Sequence, residues 1–485
     1  MGVEKPYWNS RQANKRYLYS GDSDGERVVY KRKRFHYQHE ESHEFSEEEE
    51  CGEGEEVPEV REEEEFDAED EYGEEEMGES EESYWLEHDE EINAASSSSK
   101  KRIKETPIDR LSALPDSLLI RILSNLRMQE AAMTCVLSKR WQFLWTDLPR
   151  LEFRESSHRT EKTREFVAWV HRTLVISSGN HLEKLEVNFM YNKSFVSDVN
   201  VWVEFALKNK VKDVFLRLIN SLEDLYMLPQ MMYCNSSLTR LTLQGCIMAP
   251  RTTIDWKSLT KLDLSCVELR QHVVENILSS CPVLISLSLM EFWGFNCLEV
   301  HSQSLGELII RYWKDWNSES LLEISAPNLH YLEVSLYAIG RKLRLTNISS
   351  LVDAYINFDD FDGDASRPVN MMSYMKELLE NLQHVKKLEL GLGCFHGYPT
   401  CSPKGDLNCD LLHLKTVDIR CFADDRLDGE PMLTLVQLLL KRARVLRKMV
   451  IVDENESIGS DVYFKIAQTL LSYPRSSRNA VVLVS

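Results

Sequence analysis

SLTRLTL (237–243) and SLTKLDL (258–264) carry one seven-residue pattern twice, 21 residues apart. The apolar positions read L-x-x-L-x-L. Counted from the first leucine, the other two fall at +3 and +5. On a helix of 3.6 residues per turn, positions five apart lie about 140° apart, so three such leucines do not share a face. On a strand, +3 and +5 point to one side, and +2, +4 and +6 to the other. The pattern therefore predicts a short strand whose +3 and +5 side chains enter a core.

Nine further stretches fit the same template: HLEKLEV (181–187), KVKDVFL (210–216), VLISLSL (283–289), SLGELII (304–310), NLHYLEV (328–334), SLVDAYI (350–356), HVKKLEL (384–390), HLKTVDI (413–419) and VLRKMVI (445–451). Their first positions are 21 to 34 residues apart. The segments between them suit a return turn or helix, such as HVVENILSSC before Pro282 or SYMKELLENL before His384. This is the spacing of leucine-rich repeats, in which stacked units bury what no single unit could. The regular Asn/Cys ladder of tidy repeats is mostly missing, with Cys246 one of few occupants. An irregular, strongly curved stack is expected.

Strands stacked at about 4.8 Å give an inner parallel sheet roughly 48 Å long over ten gaps. Its even-numbered offsets form a wall of mixed charge with some aromatics, which suits a protein or peptide better than a phosphate backbone. Arg240, Lys261, Arg311, Tyr331 and Tyr355 are the candidate target contacts. At +8, Phe292, Trp313, Tyr337 and Phe422 make either an aromatic ledge or part of the core. Aromatics at regular spacing are more often core, but Trp313 is kept as a candidate contact.

Ahead of the repeats stands LPDSLLIRILSNLRMQEAAMTCVLSKRWQFLW (114–145). Pro115 and Asp116 predict a helix start, the aspartate capping exposed amides. Leu118, Ile122 and Leu126 recur every four residues, with Leu119 and Leu123 beside them, a stripe wider than one neighbour needs. A second helix fits QEAAMTCVL. Ser138 would cap a third, placing Trp141, Leu144 and Trp145 on one face. Three helices in about 40 residues cannot close their own core. They lean on the rest of the chain, on another protein, or on both.

The opening Leu114-Pro115, the run Leu118 to Leu126, and VLSKRW with its trailing LW closely resemble the F-box, the helical module that docks substrate receptors onto cullin-based ubiquitin ligases. The resemblance implies that Leu114, Pro115, Leu118, Ile122, Leu126, Val136, Leu137, Trp141, Leu144 and Trp145 supply a surface facing either a Skp-type adaptor or the core. Arg140 would sit on the rim, steering more than binding. One departure is Arg127, where the family usually has proline. From Leu411 to about Val482, HLKTVDIRCF, LVQLLLKRARVLRKMVI and KIAQTLLSYPRSSRNAVV resemble the segment called FBD, here read as a closing cap. The order of these parts is that of a large plant family of F-box/FBD/leucine-rich-repeat proteins.

The expected organisation is α/β: an acidic, disordered tail (1–105), a three-helix F-box (106–153), an irregular leucine-rich-repeat solenoid with helices or turns outside a curved parallel sheet (154–412), and an FBD-like cap (413–485). The net charge of −22 is concentrated: between Glu40 and Glu91 there are 29 acids and one base, Arg61, while elsewhere bases exceed acids by six. Such a block cannot bury enough apolar area to offset its ordering entropy. It is a solvating spacer or a mimic of nucleic-acid charge.

The 11 scattered cysteines, the polar opening MGVEKPYWNSRQ and the lack of a long apolar run suggest a reducing interior. KRKR (31–34) and KKRIK (100–104) fit nuclear import signals. The location expected is nucleus, cytoplasm or both, without a membrane. No phosphate-binding glycine loop or nucleophile elbow occurs. Cys394, His396, Cys401 and Cys409 lack the spacing of a zinc knuckle. No catalytic residues, metal or cofactor are expected, and no direct nucleic-acid contact.

The resemblance implies a non-catalytic substrate-recognition adaptor, the F-box gripping a Skp-type subunit and through it a cullin, the solenoid gripping an unknown target. Other readings are an acidic scaffold for histones or other basic proteins, and a hormone-sensing receptor.

Overall fold

The computed structural model describes residues 111, 113–155, 160–177, 179, 182–220, 224–270, 272–314, 320–337, 342–359, 371–391, 410–421, 430–453 and 460–484. The acidic block, both basic clusters, the Cys394–Cys409 group and Phe422 lie outside them.

Pro115 opens α1 (Asp116–Leu123) from the N-cap position with φ −61°, a value its ring imposes anyway. Asp116 is the first helical residue rather than a cap. Arg127 begins α2 (Met128–Met133) with φ −64°, as a proline would. Its N–H donates to Glu130 Oε2 at 3.0 Å, so the turn survives the departure from the family pattern. α2 is shorter than QEAAMTCVL suggests and tightens into a 3-10 turn, Thr134–Val136. The third helix is also 3-10, Trp141–Asp147, and starts after Arg140 rather than Ser138. At three residues per turn, Trp141 and Leu144 eclipse one another on a single inward edge.

The chain then alternates. β1 (Arg150–Arg154), α3 (Thr160–Ile176), β2 (Lys184–Met190), α4 (Val196–Lys208) and β3 (Asp213–Ile219) come first. β4 (Tyr226–Met227), α5 (Gln230–Tyr233), β5 (Arg240–Gln244), β6 (Cys246–Met248), β7 (Lys261–Ser265), β8 (Glu268–Leu269) and α6 (Val273–Ser280) follow. Next are β9 (Ser286–Met290), β10 (Cys297–His301), β11 (Glu307–Arg311), β12 (Leu321–Ser325), β13 (Tyr331–Tyr337), β14 (Lys342–Thr346) and β15 (Asp353–Asp359). α7 (Met371–Asn381), β16 (Lys387–Leu390), β17 (Thr416–Cys421), α8 (Glu430–Arg442), β18 (Lys448–Asp453), α9 (Ser460–Ser472) and β19 (Val481–Val484) complete it.

Thirteen strands form one sheet in the order β1-β2-β3-β5-β7-β9-β11-β13-β15-β16-β17-β18-β19. All eleven repeat copies are in it, paired parallel with their +2 residues opposite one another: Lys184 with Asp213, Asp213 with Arg240, Arg240 with Lys261, and so on to Thr416 with Lys448. The +3 and +5 residues are buried throughout, Leu241, Leu243, Leu262 and Leu264 completely. β17 to β19 extend the same sheet, so the described residues of 413–485 add strands to the array and include its last two helices.

A backbone ladder stands where the Asn ladder is missing. The +1 carbonyl of each copy accepts two N–H groups from the next: Thr239 from Thr260 (2.8 Å) and Lys261 (3.2 Å), Gly306 from His330 (2.8 Å) and Tyr331 (3.1 Å). The series runs from Pro149 to Lys415, satisfying two backbone donors per strand without any particular side chain.

The return path corrects the expectation of turns or helices alone. In the middle of the array it is strand, giving two further parallel sheets, β4-β6-β8 and β10-β12-β14. The cause is a corner at +7, where Gly245 (φ 76°), Cys266 (50°), Glu291 (52°) and Tyr312 (54°) are left-handed. At Gly245 a Cβ would come within 2.1 Å of the Leu218 carbonyl oxygen, so only glycine fits. Each corner reverses the alternation, and the +8 side chains Cys246, Val267, Phe292 and Trp313 are fully buried.

Candidate functional site

α1 is divided lengthwise. Leu119 and Leu123 are fully buried, while Leu118, Ile122 and, just past the helix, Leu126 remain 40 to 44% exposed. On the 3-10 turn, Val136 and Leu137 are exposed to 77% and 60%. Sequence reasoning missed Met133 and Phe143, which are equally exposed. Met133 follows two alanines and Phe143 lies between Gln142 and an inward Leu144, so neither joins an apolar period. Eight of the 22 exposed large apolar side chains among the described residues fall within 111–143. A concentration of this kind leaves apolar area uncovered, and burying each such side chain would be worth about 1.5–3 kcal/mol.

The inward residues behave differently. Trp141 and Leu144, expected to face either the adaptor or the core, are buried and so face the core rather than an adaptor surface. They join Leu119, Leu123, Met128, Ala131 and Leu148 in a core that continues into Leu151 and Phe153 of β1. Phe153 meets Trp169 of α3 edge-on at 4.9 Å. Leu114 and Trp145 pack half-buried against this core, and the Trp145 indole donates to the Gln142 carbonyl at 3.1 Å. Pro115 is exposed. The short helices therefore lean on the repeats with one face and present the other.

Arg140 ties these pieces together. Its Nε and Nη2 donate to Asp116 Oδ1 at 3.0 and 2.6 Å, and Nη2 also to the Leu114 carbonyl. The guanidinium fixes the start of α1 against the third helix while remaining about one-third exposed.

On the sheet face away from the core, buried carboxylates are each held by a cation. Glu186 accepts from Arg154 at 2.5 Å and Lys184 at 2.7 Å. Burial would push its carboxyl up, but these hydrogen bonds and charges outweigh it and hold it below the usual range. Glu333 is held by Arg311 and by the Tyr331 hydroxyl at 2.9 Å, and Glu389 by Arg420 at 2.5 Å. Of the candidate target contacts, Arg311 and Tyr331 are thus engaged in that network. Tyr355 is half-buried, its phenol pushed up by burial.

Arg240 and Lys261 sit side by side at +2 of adjacent strands, 58% and 47% exposed, paired with Asp213 at 3.0 Å and Asp263 at 3.6 Å. Trp313 is removed from the set. It is fully buried, stacked on Phe292 at 5.5 Å, because the left-handed Tyr312 turns it inward. The Tyr337 side chain lies outside the described residues.

Among the described residues no group of three potential ligands could hold a metal ion, and no helix is long and apolar enough to cross a membrane.

Residues 111–153 match the F-box domain, and residues 174–470 match the family described as At1g61320/AtMIF1, LRR domain. F-box/LRR-repeat protein At3g26922 of Arabidopsis thaliana is 30% identical over 291 residues, 59% of this chain and 90% of the relative. F-box protein At5g03100 of the same plant is 28% identical over 59% of this chain and 89% of its own length. F-box/LRR-repeat protein At5g02910 is 30% identical, with 59% of this chain matching 60% of it. Two more relatives are spanned to only 63% and 61% of their length, so the chain covers less than two thirds of several of them. With a leucine-rich-repeat match over more than half of its residues and an F-box ahead of it, the chain belongs to the plant F-box/leucine-rich-repeat family.

Proposed function

We propose that this chain is the substrate-recognition adaptor of an SCF-type ubiquitin ligase. Its F-box docks on a Skp-type subunit, and through it a cullin, while the sheet face around Arg240 and Lys261 engages the target. The observation carrying this reading is the uncovered apolar side of the F-box, Leu118, Ile122, Leu126, Val136 and Leu137, beside a fully buried Leu119 and Leu123. The chain itself is non-catalytic in this reading. It supplies proximity, raising the effective concentration of target near a ubiquitin donor. The two basic clusters support a place in the nucleus, the cytoplasm or both.

Co-purification tests the proposal. The full chain is expected to recover a Skp-type subunit and a cullin, and Ile122→Asp with Val136→Asp to lose both. Unchanged recovery with these two changes would overturn the docking assignment.

A further inference from the structure

The last three repeats carry an unbroken run of cations at their leading edge. At +1, the turn into each strand, the first two copies have Glu183 and Lys212, and the next six, from Thr239 to Val352, have no lysine or arginine. In the last three copies the same position is Lys386, Lys415 and Arg447. The Lys415 N–H donates to the Lys386 carbonyl and the Arg447 N–H to the Lys415 carbonyl, both at 2.8 Å, so the three are stacked one per strand. That sets their backbones about 4.8 Å apart. Lys448 adds a fourth charge at +2 of the last copy.

All four side chains are exposed, and among the described residues none makes an ion pair. The carboxylate of nearby Asp410 is already taken by Arg442 and Arg444. Like charges held this close repel one another, and an anionic partner removes that cost.

Two aliphatic side chains interrupt the charge. Leu412 is 51% exposed and Val445 is 42% exposed. The Leu411 N–H donates to the Arg442 carbonyl at 3.0 Å, which brings the two turns alongside one another. A single-stranded nucleic acid wants aromatic platforms between its cations. Leucine and valine offer bases nothing to stack on, but they match the aliphatic residues of a peptide.

We propose that this edge is a second docking site, for an acidic peptide segment of a partner protein in which carboxylates alternate with aliphatic side chains. The site is separate from the F-box and from the face around Arg240, and does not depend on the ligase reading.

The test is fluorescence anisotropy with the full-length chain and a short labelled peptide of alternating glutamate and leucine. Binding is expected, weakened by salt, and reduced roughly tenfold or more by Lys386→Gln, Lys415→Gln and Arg447→Gln together. Leu412→Ser with Val445→Ser should reduce it severalfold, whereas Arg240→Gln with Lys261→Gln should leave it unchanged. Peptide binding that survives the three edge changes, or that falls equally with the Arg240/Lys261 pair, overturns the proposal. So does tighter binding of oligothymidylate than of the peptide. Unaltered melting of each variant confirms that the losses are local, all seven side chains being partly or fully exposed.

Discussion

Arg154 on β1 and Glu186 on β2 meet at 2.5 Å across the junction where the F-box hands the chain to the repeats. The carboxylate is nearly buried and the guanidinium largely exposed. Lys184 holds the other carboxylate oxygen and also reaches Glu152 at 2.8 Å. Because the folded state depresses the Glu186 pKa below its usual 4.5, the stabilisation is fully present above that value. It is lost as pH falls through the folded pKa.

Glu186→Gln is accordingly expected to cost about 1–2 kcal/mol at neutral pH, discounted for the exposure of Arg154. The variant's disadvantage should shrink as pH drops below 4.5. Denaturant melts across that range, compared with the parent chain, give the difference directly.

Ile122 and Leu123 are neighbours with opposite surroundings, 40% exposed and fully buried. Ile122→Ala should shift stability by no more than about 0.5 kcal/mol while weakening Skp-subunit binding. Leu123→Ala should cost about 2–5 kcal/mol by leaving a cavity. Thermal melts paired with pull-down separate the two effects.

Trp313 and Arg240 reverse the ranking that a target-contact reading would give. Trp313→Ala is expected to cost about 3–5 kcal/mol. Arg240→Ala should stay within about 0.5 kcal/mol and register only when a target is present.

Gly245→Ala places a methyl carbon against the Leu218 carbonyl oxygen and forces alanine into a left-handed conformation. A loss of at least about 2 kcal/mol follows, readable as a lowered denaturation midpoint with an unchanged slope.

The regular part of the fold was legible because burial repeats. Leu241, Leu262 and Leu287 answer to one rule, and their strands pair in the register the rule implies. β1 obeys it too, with Leu148, Leu151 and Phe153 at 0, +3 and +5. It was missed because phenylalanine closes the motif and the F-box reading had absorbed those residues. β19 has Asn479 at the first position, so the rule is silent there. The outer strands CLEVH, LLEIS and KLRLT do alternate, but each offers only two buried residues and a single period of pattern.

The site was less readable for a different reason. Spacing says which side chains share a face, and the left-handed corners change which face that is. Tyr312 looks like any other strand-end residue in the sequence, yet its backbone decides whether Trp313 meets a partner or the core. Likewise, nothing in SKRWQFLW distinguishes an α-helix from the tighter coil that sends Trp141 and Leu144 inward together.

Among the described residues the F-box core merges with β1, so that handle and jaw share one buried cluster. A gripping tool cast in one piece cannot swivel to suit its load. In the proposed adaptor reading, the distance and angle from the uncovered apolar patch to a cargo on the repeats would be built in at folding, and adjustment would fall to the cargo or to the machinery on the far side of the dock.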